Sequence, residues 1–492
     1  MAAGTTLAAF TLIAPTAFAD PVSPPLIRPL AGVGSDTTQA LMDALSEDPI
    51  TNKQIASYDA FGNPPVFNTR GFPSPRCDVT RSTVNGSSAG VGALQHALQH
   101  DPGSYFDSVT NTSCLDFARS SSDSHTSFPS NPPGGPGQLS YIKFAKDGLT
   151  VAIRADSGLP NGPYTIGDNG DLDLKNIFTC VTDPTGATIR PVLPQIGSGT
   201  RQFFLDSLGI PRANQPTFEA DHPCINLGYP SRVGPEEHHG NQLNDPRDIA
   251  PYSAAVYLSQ INRVISDDHG VAILGEVNPI RSVIPNPAAP SGIGITLRSD
   301  SGLPNTYTVA AGSGDTALAD IYNCVTDPSG SVIRPVLPAP GSTVRTAFLN
   351  LIGVPAGSQN NFEASHPCVN LDFAGRVGPP ENKGNLLADP RQVEPYSIEA
   401  YTAQIDREVA DNHGRLILGL INQVPAQVLN TGVTLGRDVF NVIPTNKESV
   451  APWSTVFVGT SSLICQDAAT INRLGFGQEP AGQCGSIVSR TS

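Results

Sequence analysis

The strongest constraint on this chain is that a long stretch of it is written twice. Ile153-Arg154-Ala155-Asp156-Ser157-Gly158-Leu159-Pro160-Asn161 returns as Leu297-Arg298-Ser299-Asp300-Ser301-Gly302-Leu303-Pro304-Asn305, 144 positions on. The offset holds through Cys180-Val181-Thr182-Asp183-Pro184 and Cys324-Val325-Thr326-Asp327-Pro328, through His222-Pro223-Cys224 and His366-Pro367-Cys368, and through Pro251-Tyr252-Ser253 and Pro395-Tyr396-Ser397. A unit of roughly 130 residues is too long for a solenoid repeat and suits a duplicated domain. Cys180 and Cys224 are spaced like Cys324 and Cys368, which argues for one disulfide inside each copy. Cys77–Cys114 and Cys465–Cys484 are then the remaining pairs by proximity. Eight cysteines without a C-x-x-C pair fit an oxidising compartment, not a zinc ribbon or redox site.

The repeat divides the chain of 492 residues. An export signal is expected over 1–19: the run 5–15 is apolar, and Ala17-Phe18-Ala19 before Asp20 is a small-x-small cleavage site. No Lys or Arg precedes Arg28, so translation is expected to start upstream of Met1, and no Cys follows the cleavage site to carry a lipid. A first domain is expected over 28–150, copy A over 151–284, a Pro-rich linker over 285–294 and copy B over 295–428. The segment 433–492, belonging to neither copy, is expected to return to the first domain. Strands are expected at 81–84, 114–121, 141–153 (as a pair), 438–443 and 454–459. Helices are expected from an N-cap at Ser35 or Asp36 through Leu45, over 91–99 and over 202–209. The loop 122–137, rich in Ser, Pro and Gly, is expected to be mobile. A net charge of −15 and the lack of long apolar runs after the N-terminus exclude nucleic acid and membrane insertion.

The copies diverge where chemistry would sit. Gly197-Ser198-Gly199-Thr200-Arg201 becomes Gly341-Ser342-Thr343-Val344-Arg345, and Glu237-His238-His239-Gly240 becomes Glu381-Asn382-Lys383-Gly384. Ligand contact is therefore expected on copy A, with copy B as scaffold. Glycines, hydroxyls, Arg201 and a helix start suit a small anion, worth about 0.3–1 kcal/mol from the helix dipole alone. No Gly-Lys-Ser/Thr follows, which excludes a P-loop.

Taken together, Ala31-Gly32-Val33-Gly34-Ser35-Asp36-Thr37-Thr38-Gln39, Asn85-Gly86-Ser87-Ser88-Ala89-Gly90-Val91, Leu115-Asp116-Phe117-Ala118-Arg119-Ser120-Ser121 and Leu193-Pro194-Gln195-Ile196-Gly197-Ser198-Gly199-Thr200-Arg201 resemble the phosphate-binding type of periplasmic solute-binding protein, specifically its secreted bacterial relatives. The segments at 237–240 and 439–445 fit as well. The resemblance implies an α/β, type II periplasmic-binding-protein-like fold of two lobes, here with lobe 2 present as two tandem copies. It implies capture of a small phosphate-like oxyanion without chemistry or cofactor, with a membrane permease as the partner, by Asp36, Thr37 and Thr38, Ser87 and Ser88, Arg119 and Ser121, and Gly197, Ser198, Gly199, Thr200 and Arg201. The chain departs from the family at Asp36, where the ligand-contacting Thr would fall, at Ser121 for the Asp that accepts the phosphate proton, and at Pro194 for an Arg. Arg119 and Arg201 are the expected replacement charges.

Three other readings arise from the residues. Gly86-Ser87-Ser88-Ala89-Gly90 satisfies G-x-S-x-G, which would make Ser88 an esterase nucleophile, although no late Asp…His pair follows. Glu236-Glu237-His238-His239 reads as a solvated loop or inter-lobe latch in preference to a metal site. A secreted structural or adhesive protein with a vestigial pocket is the remaining class.

Overall fold

The computed structural model describes residues 20–21, 25–59, 64–71, 77–100, 105–123, 138–278, 281–312, 314–406 and 409–490. The expected export signal and nearly all of the loop 122–137 lie outside them. The architecture is mixed α/β. Three short parallel strands, Leu30–Gly34, Ile55–Ser57 and Phe117–Ser120, form the N-terminal sheet. Helix Gln39–Glu47 connects the first to the second, and helix Ser87–Gln99 precedes the third. The returning strand Gly436–Pro444 lies antiparallel to Phe117–Ser120 and to the first half of the long strand Leu139–Arg154. The C-terminal segment thus adds to the N-terminal sheet, and Ile487–Arg490 pairs with it too.

Leu139–Arg154 is one strand of 16 residues, not the expected pair. Its side chains are buried on both faces along almost its whole length, so no polar turn interrupts it. The second half serves the next unit, pairing with Asp248–Ser253 and Ala272–Gly275, while Arg190–Pro191 runs parallel to Asp248–Ser253. The stretch 295–428 repeats these pairings. Ile153↔Ile249 becomes Leu297↔Val393, and Ile153↔Ile273 becomes Leu297↔Ile417.

The two stretches meet reciprocally. Val283–Pro285, inside the expected end of copy A and the start of the linker, is a strand paired antiparallel with Gln427–Leu429, with Val283↔Leu429 and Pro285↔Gln427. Asn161 donates to the Asp406 carbonyl at 2.7 Å, and Asn305, 144 positions on, donates to the Asn262 carbonyl at 2.7 Å. Such exchange of equivalent contacts is the mark of a two-fold arrangement. The four disulfides are Cys77–Cys114, Cys180–Cys224, Cys324–Cys368 and Cys465–Cys484.

Several local expectations are corrected. The strand expected at 81–84 is a 3-10 turn, Arg81–Thr83, after a strand Asp78–Thr80. Arg81 bends the chain there by donating to the Pro64 and Asp59 carbonyls, both at 2.7 Å. The strand expected at 454–459 is helix Trp453–Phe457, whose Val456 and Phe457 enter the core beside Phe117. Burial overrides the β-preference of these residues. Helix Ser87–Gln99 starts four residues earlier than expected, because Gly86 at φ +94° makes the turn and the serines enter the first helical turn.

Candidate functional site

Four loops meet at one point, and glycines make the approach possible. A Cβ on Gly199 would lie 2.3 Å from both the Ser87 and the Ser121 hydroxyl oxygens, and one on Gly86 would lie 2.6 Å from the Gly197 carbonyl. The Ser88 N–H donates to that carbonyl at 3.3 Å. Ser121 N–H donates to Ser87 Oγ at 3.1 Å, and Ser35 Oγ donates to Ser121 Oγ at 3.1 Å. Ser35, Ser87 and Ser121 are wholly buried. The expected segments therefore do converge, with their serines bonded to one another.

Helix Gly199–Ser207 begins at Ser198, whose Oγ accepts the Arg201 N–H at 3.0 Å. At its N-terminus lies the carboxylate of Glu237, which is completely buried. One oxygen, Oε2, accepts from the Ser198 hydroxyl and from the Thr200 N–H (3.2 Å). The other, Oε1, accepts from the Thr37 N–H (3.1 Å) and the Thr37 hydroxyl (3.2 Å). One carboxylate thus ties the loop before the first helix to the loop before this one. Burial pushes its pKa up, but the His238 ring, the Ser198 hydroxyl, Arg437 and the Thr200 N–H outweigh that and hold it below the ordinary glutamate value.

His238 lies 2.9 Å from Thr37 Oγ1 and 3.2 Å from Thr200 Oγ1 through Nε2. Its Nδ1 faces the Ser253 N–H at 3.1 Å and so accepts, which assigns the ring proton to Nε2. Burial pushes the ring pKa down to about 4, so at neutral pH it is an uncharged donor. It cannot serve Thr37 as a base, since the nitrogen facing that hydroxyl already carries the proton.

Arg437 comes from the returning strand. Its Nε and Nη2 donate to Asp147 Oδ2 at 2.9 and 2.7 Å, and Nη2 also reaches Thr200 Oγ1 at 3.0 Å and Thr37 Oγ1 at 3.4 Å. Asp147 also accepts from the Ser253 hydroxyl at 2.7 Å. The guanidinium is 97% buried, yet Nη1 has no partner among the described residues; nor has the buried Thr38 Oγ1.

Other expected residues serve differently. Arg119 donates to Ser57 Oγ at 2.7 Å and to the Tyr58, Ser35 and Gly34 carbonyls, so its charge braces the first unit. Arg201 is bidentate to Glu219, as Arg345 is to Glu363 in the second stretch. Asp36 caps nothing: the helix starts at Gln39, and Asp36, largely buried, makes no side-chain hydrogen bond among the described residues. Burial, then Glu237 and Glu236, raise its pKa well above the usual carboxylate value. Ser88 is half-buried, and its hydroxyl bonds no histidine among the described residues. The expected solvated loop is instead buried at Glu237 and His238, where the Glu237 carboxylate bridges two loops. The described residues hold no cluster of three metal-ligating groups. Asp147 and Arg437, 290 positions apart, escaped the sequence reading altogether.

No protein-family description matches this chain, and no curated protein matches it. Among solved structures, a provisionally assigned phosphate ABC transporter substrate-binding protein with bound phosphate from Clostridium perfringens is similar at 13% identity, over 51% of this chain and 76% of that one, with a TM-score of 0.30. PstS from Borrelia burgdorferi is similar at 14% identity over 52% and 78%, TM-score 0.25. An ABC-type phosphate transport receptor from Vibrio cholerae is similar at 15% identity over 46% and 70%, TM-score 0.25.

Proposed function

We propose that this chain is a secreted solute-binding protein that holds a small oxyanion between two lobes without chemistry. Lobe 1 is 28–150 with 433–492, lobe 2 is 151–284, and 295–428 is a second lobe-2 copy acting as scaffold. The observation that carries the reading is the cradle around Glu237. Thr37 N–H and hydroxyl, Ser198 hydroxyl and Thr200 N–H converge from two loops on one carboxylate, with His238 Nε2–H and Arg437 behind them. Four donors converge on that point at a helix N-terminus, which is the arrangement an oxyanion needs. The long strand Leu139–Arg154, which serves both units, is the natural hinge, with Asp147–Arg437 at the crossing. Four disulfides fit an oxidising compartment, and no helix among the described residues is long and apolar enough to cross a membrane. A membrane permease is the partner such a carrier would serve.

A second reading has its own observation. The cradle is filled by Glu237, and Asp36 and Glu236 stand beside it, so the site also suits a permanently latched, structural protein. Thermal unfolding with sodium phosphate, sulfate and chloride at matched ionic strength separates the two. Ligand at ~100 times its dissociation constant adds about 2.7 kcal/mol, a shift of several degrees for domains of this size. A shift with one oxyanion that disappears in a Ser198→Ala/Thr200→Val variant supports binding at this site. A parent protein that responds to none is the latched protein.

A further inference from the structure

On the solute-binding reading, the occupant of the cradle is the informative group. We propose that Glu237 is a tethered competitor: its carboxylate stands where a tetrahedral oxyanion binds, and the affinity of the site for free sulfate or phosphate is set by displacing it.

Three observations carry this. First, the carboxylate is saturated. Each oxygen of Glu237 accepts two hydrogen bonds, so its four lone-pair positions are all used. Second, donors are left over. Arg437 Nη1, on the guanidinium whose Nη2 touches Thr37 and Thr200, and Thr38 Oγ1, next in the chain to Thr37, are buried with no hydrogen-bond partner among the described residues. A buried donor left unpaired is costly, and a group with more oxygens than a carboxylate removes that cost. Four oxygens and a second negative charge describe sulfate and phosphate.

Third, the second stretch shows what a merely structural carboxylate does. Glu381, 144 positions after Glu237, accepts from Ser342 Oγ at 2.5 Å, Thr343 Oγ1 at 3.4 Å and the Val344 N–H at 3.3 Å, all within its own helix start. It bonds no other unit among the described residues and is partly exposed. Capping the helix therefore explains Glu381 fully and Glu237 in part. The bonds to Thr37, from the loop before the first helix, are the addition, and on the solute-binding reading they make Glu237 reproduce the contacts of a ligand that closes the lobes.

An intramolecular occupant lowers apparent affinity by the fraction of molecules in which it has left the site. The test is isothermal titration of sodium sulfate and sodium phosphate into the full chain, its Glu237→Ala and Glu237→Gln variants, and Glu381→Ala. The expected result is dissociation constants about tenfold or more tighter in both Glu237 variants, unchanged in Glu381→Ala, with the Glu237→Ala melting temperature restored by formate. Glu237→Gln keeps the side-chain volume, so the comparison survives if the alanine variant fails to fold. Should the parent bind oxyanion while both Glu237 variants bind equally or more weakly, the competitor is overturned and the solute-binding reading stands. Binding by neither parent nor variants overturns both.

Discussion

Replacing Asp147 by leucine is the most searching perturbation of this architecture. Asp147 and Arg437 are 1% and 3% exposed, and the aspartate accepts two guanidinium bonds, the Ser253 hydroxyl at 2.7 Å and the Ala255 N–H at 3.3 Å. Removing it strands a buried cation whose remaining acceptors are two threonine hydroxyls. Breaking a buried pair on one side costs about 3–5 kcal/mol, and the Ala255 N–H left without its acceptor in the first turn of helix Ala254–Ile261 adds about 1 kcal/mol. At 2–4 °C per kcal/mol, the unit carrying the pair should melt roughly 8–24 °C lower. Arg437→Met should cost about 3 kcal/mol, because Asp147 keeps its hydroxyl and N–H donors. The double variant, with neither charge of the pair left, should cost only about 1–2 kcal/mol, mostly from the Ser253 hydroxyl and Ala255 N–H that lose their acceptor. The assay is thermal unfolding followed by the fluorescence of Trp453, the sole tryptophan, whose indole N–H donates to the Asp116 carbonyl within the N-terminal unit. Losses that add to within about 0.5 kcal/mol in the double variant would show the two charges to be uncoupled and refute the argument.

Other outcomes follow from single groups. The unfolded chain takes up a proton at His238 near pH 6.5, whereas the folded ring resists it down to about 4. Stability should therefore fall by about 3 kcal/mol as pH drops across that window, and His238→Gln should flatten the slope in a urea titration series. Asp406 behaves oppositely: burial raises its carboxyl to about 7, so the fold loses stability as pH rises from about 4 to 7. Asp406→Asn should gain on the parent over that range, by on the order of 4 kcal/mol at most, measured by melting at pH 5 and pH 8. Each of Cys180–Cys224 and Cys324–Cys368 closes a span of 44 residues. Removing either pair as Cys→Ala should cost about 4 kcal/mol by loop entropy, equally in the two units, in denaturant curves.

Much of this was legible in the sequence, for particular reasons. The Cys180 and Cys324 pairings follow from equal spacing, because a repeat must close the same loop twice. Glycines at 86, 197 and 199 marked loops that must approach closely, and they do. Helix or strand went wrong where local preference and burial disagree, as at Trp453–Phe457, and where a side chain is held by acceptors elsewhere in the chain, as Arg81 is by the Asp59 and Pro64 carbonyls. Arg119 and Arg201 illustrate a different failure. A motif shows that a cation stands near a loop, but not which acceptors surround it; here those are the Ser57 hydroxyl and Glu219.

The sequence by itself determined the duplicated stretch, its cysteine pairs, and the serine, threonine and glycine loops proposed as an anion cradle, since these depend on spacing and residue chemistry within short windows. Only the tertiary structure decided what fills that cradle. Thr37, Asp147, Glu237 and Arg437 lie up to 400 positions apart, and their bonds exist only once the returning strand places Arg437 beside the loops. A carboxylate is an acceptor wherever it stands; the donors that surround Glu237, and the water it has lost, are properties of the fold.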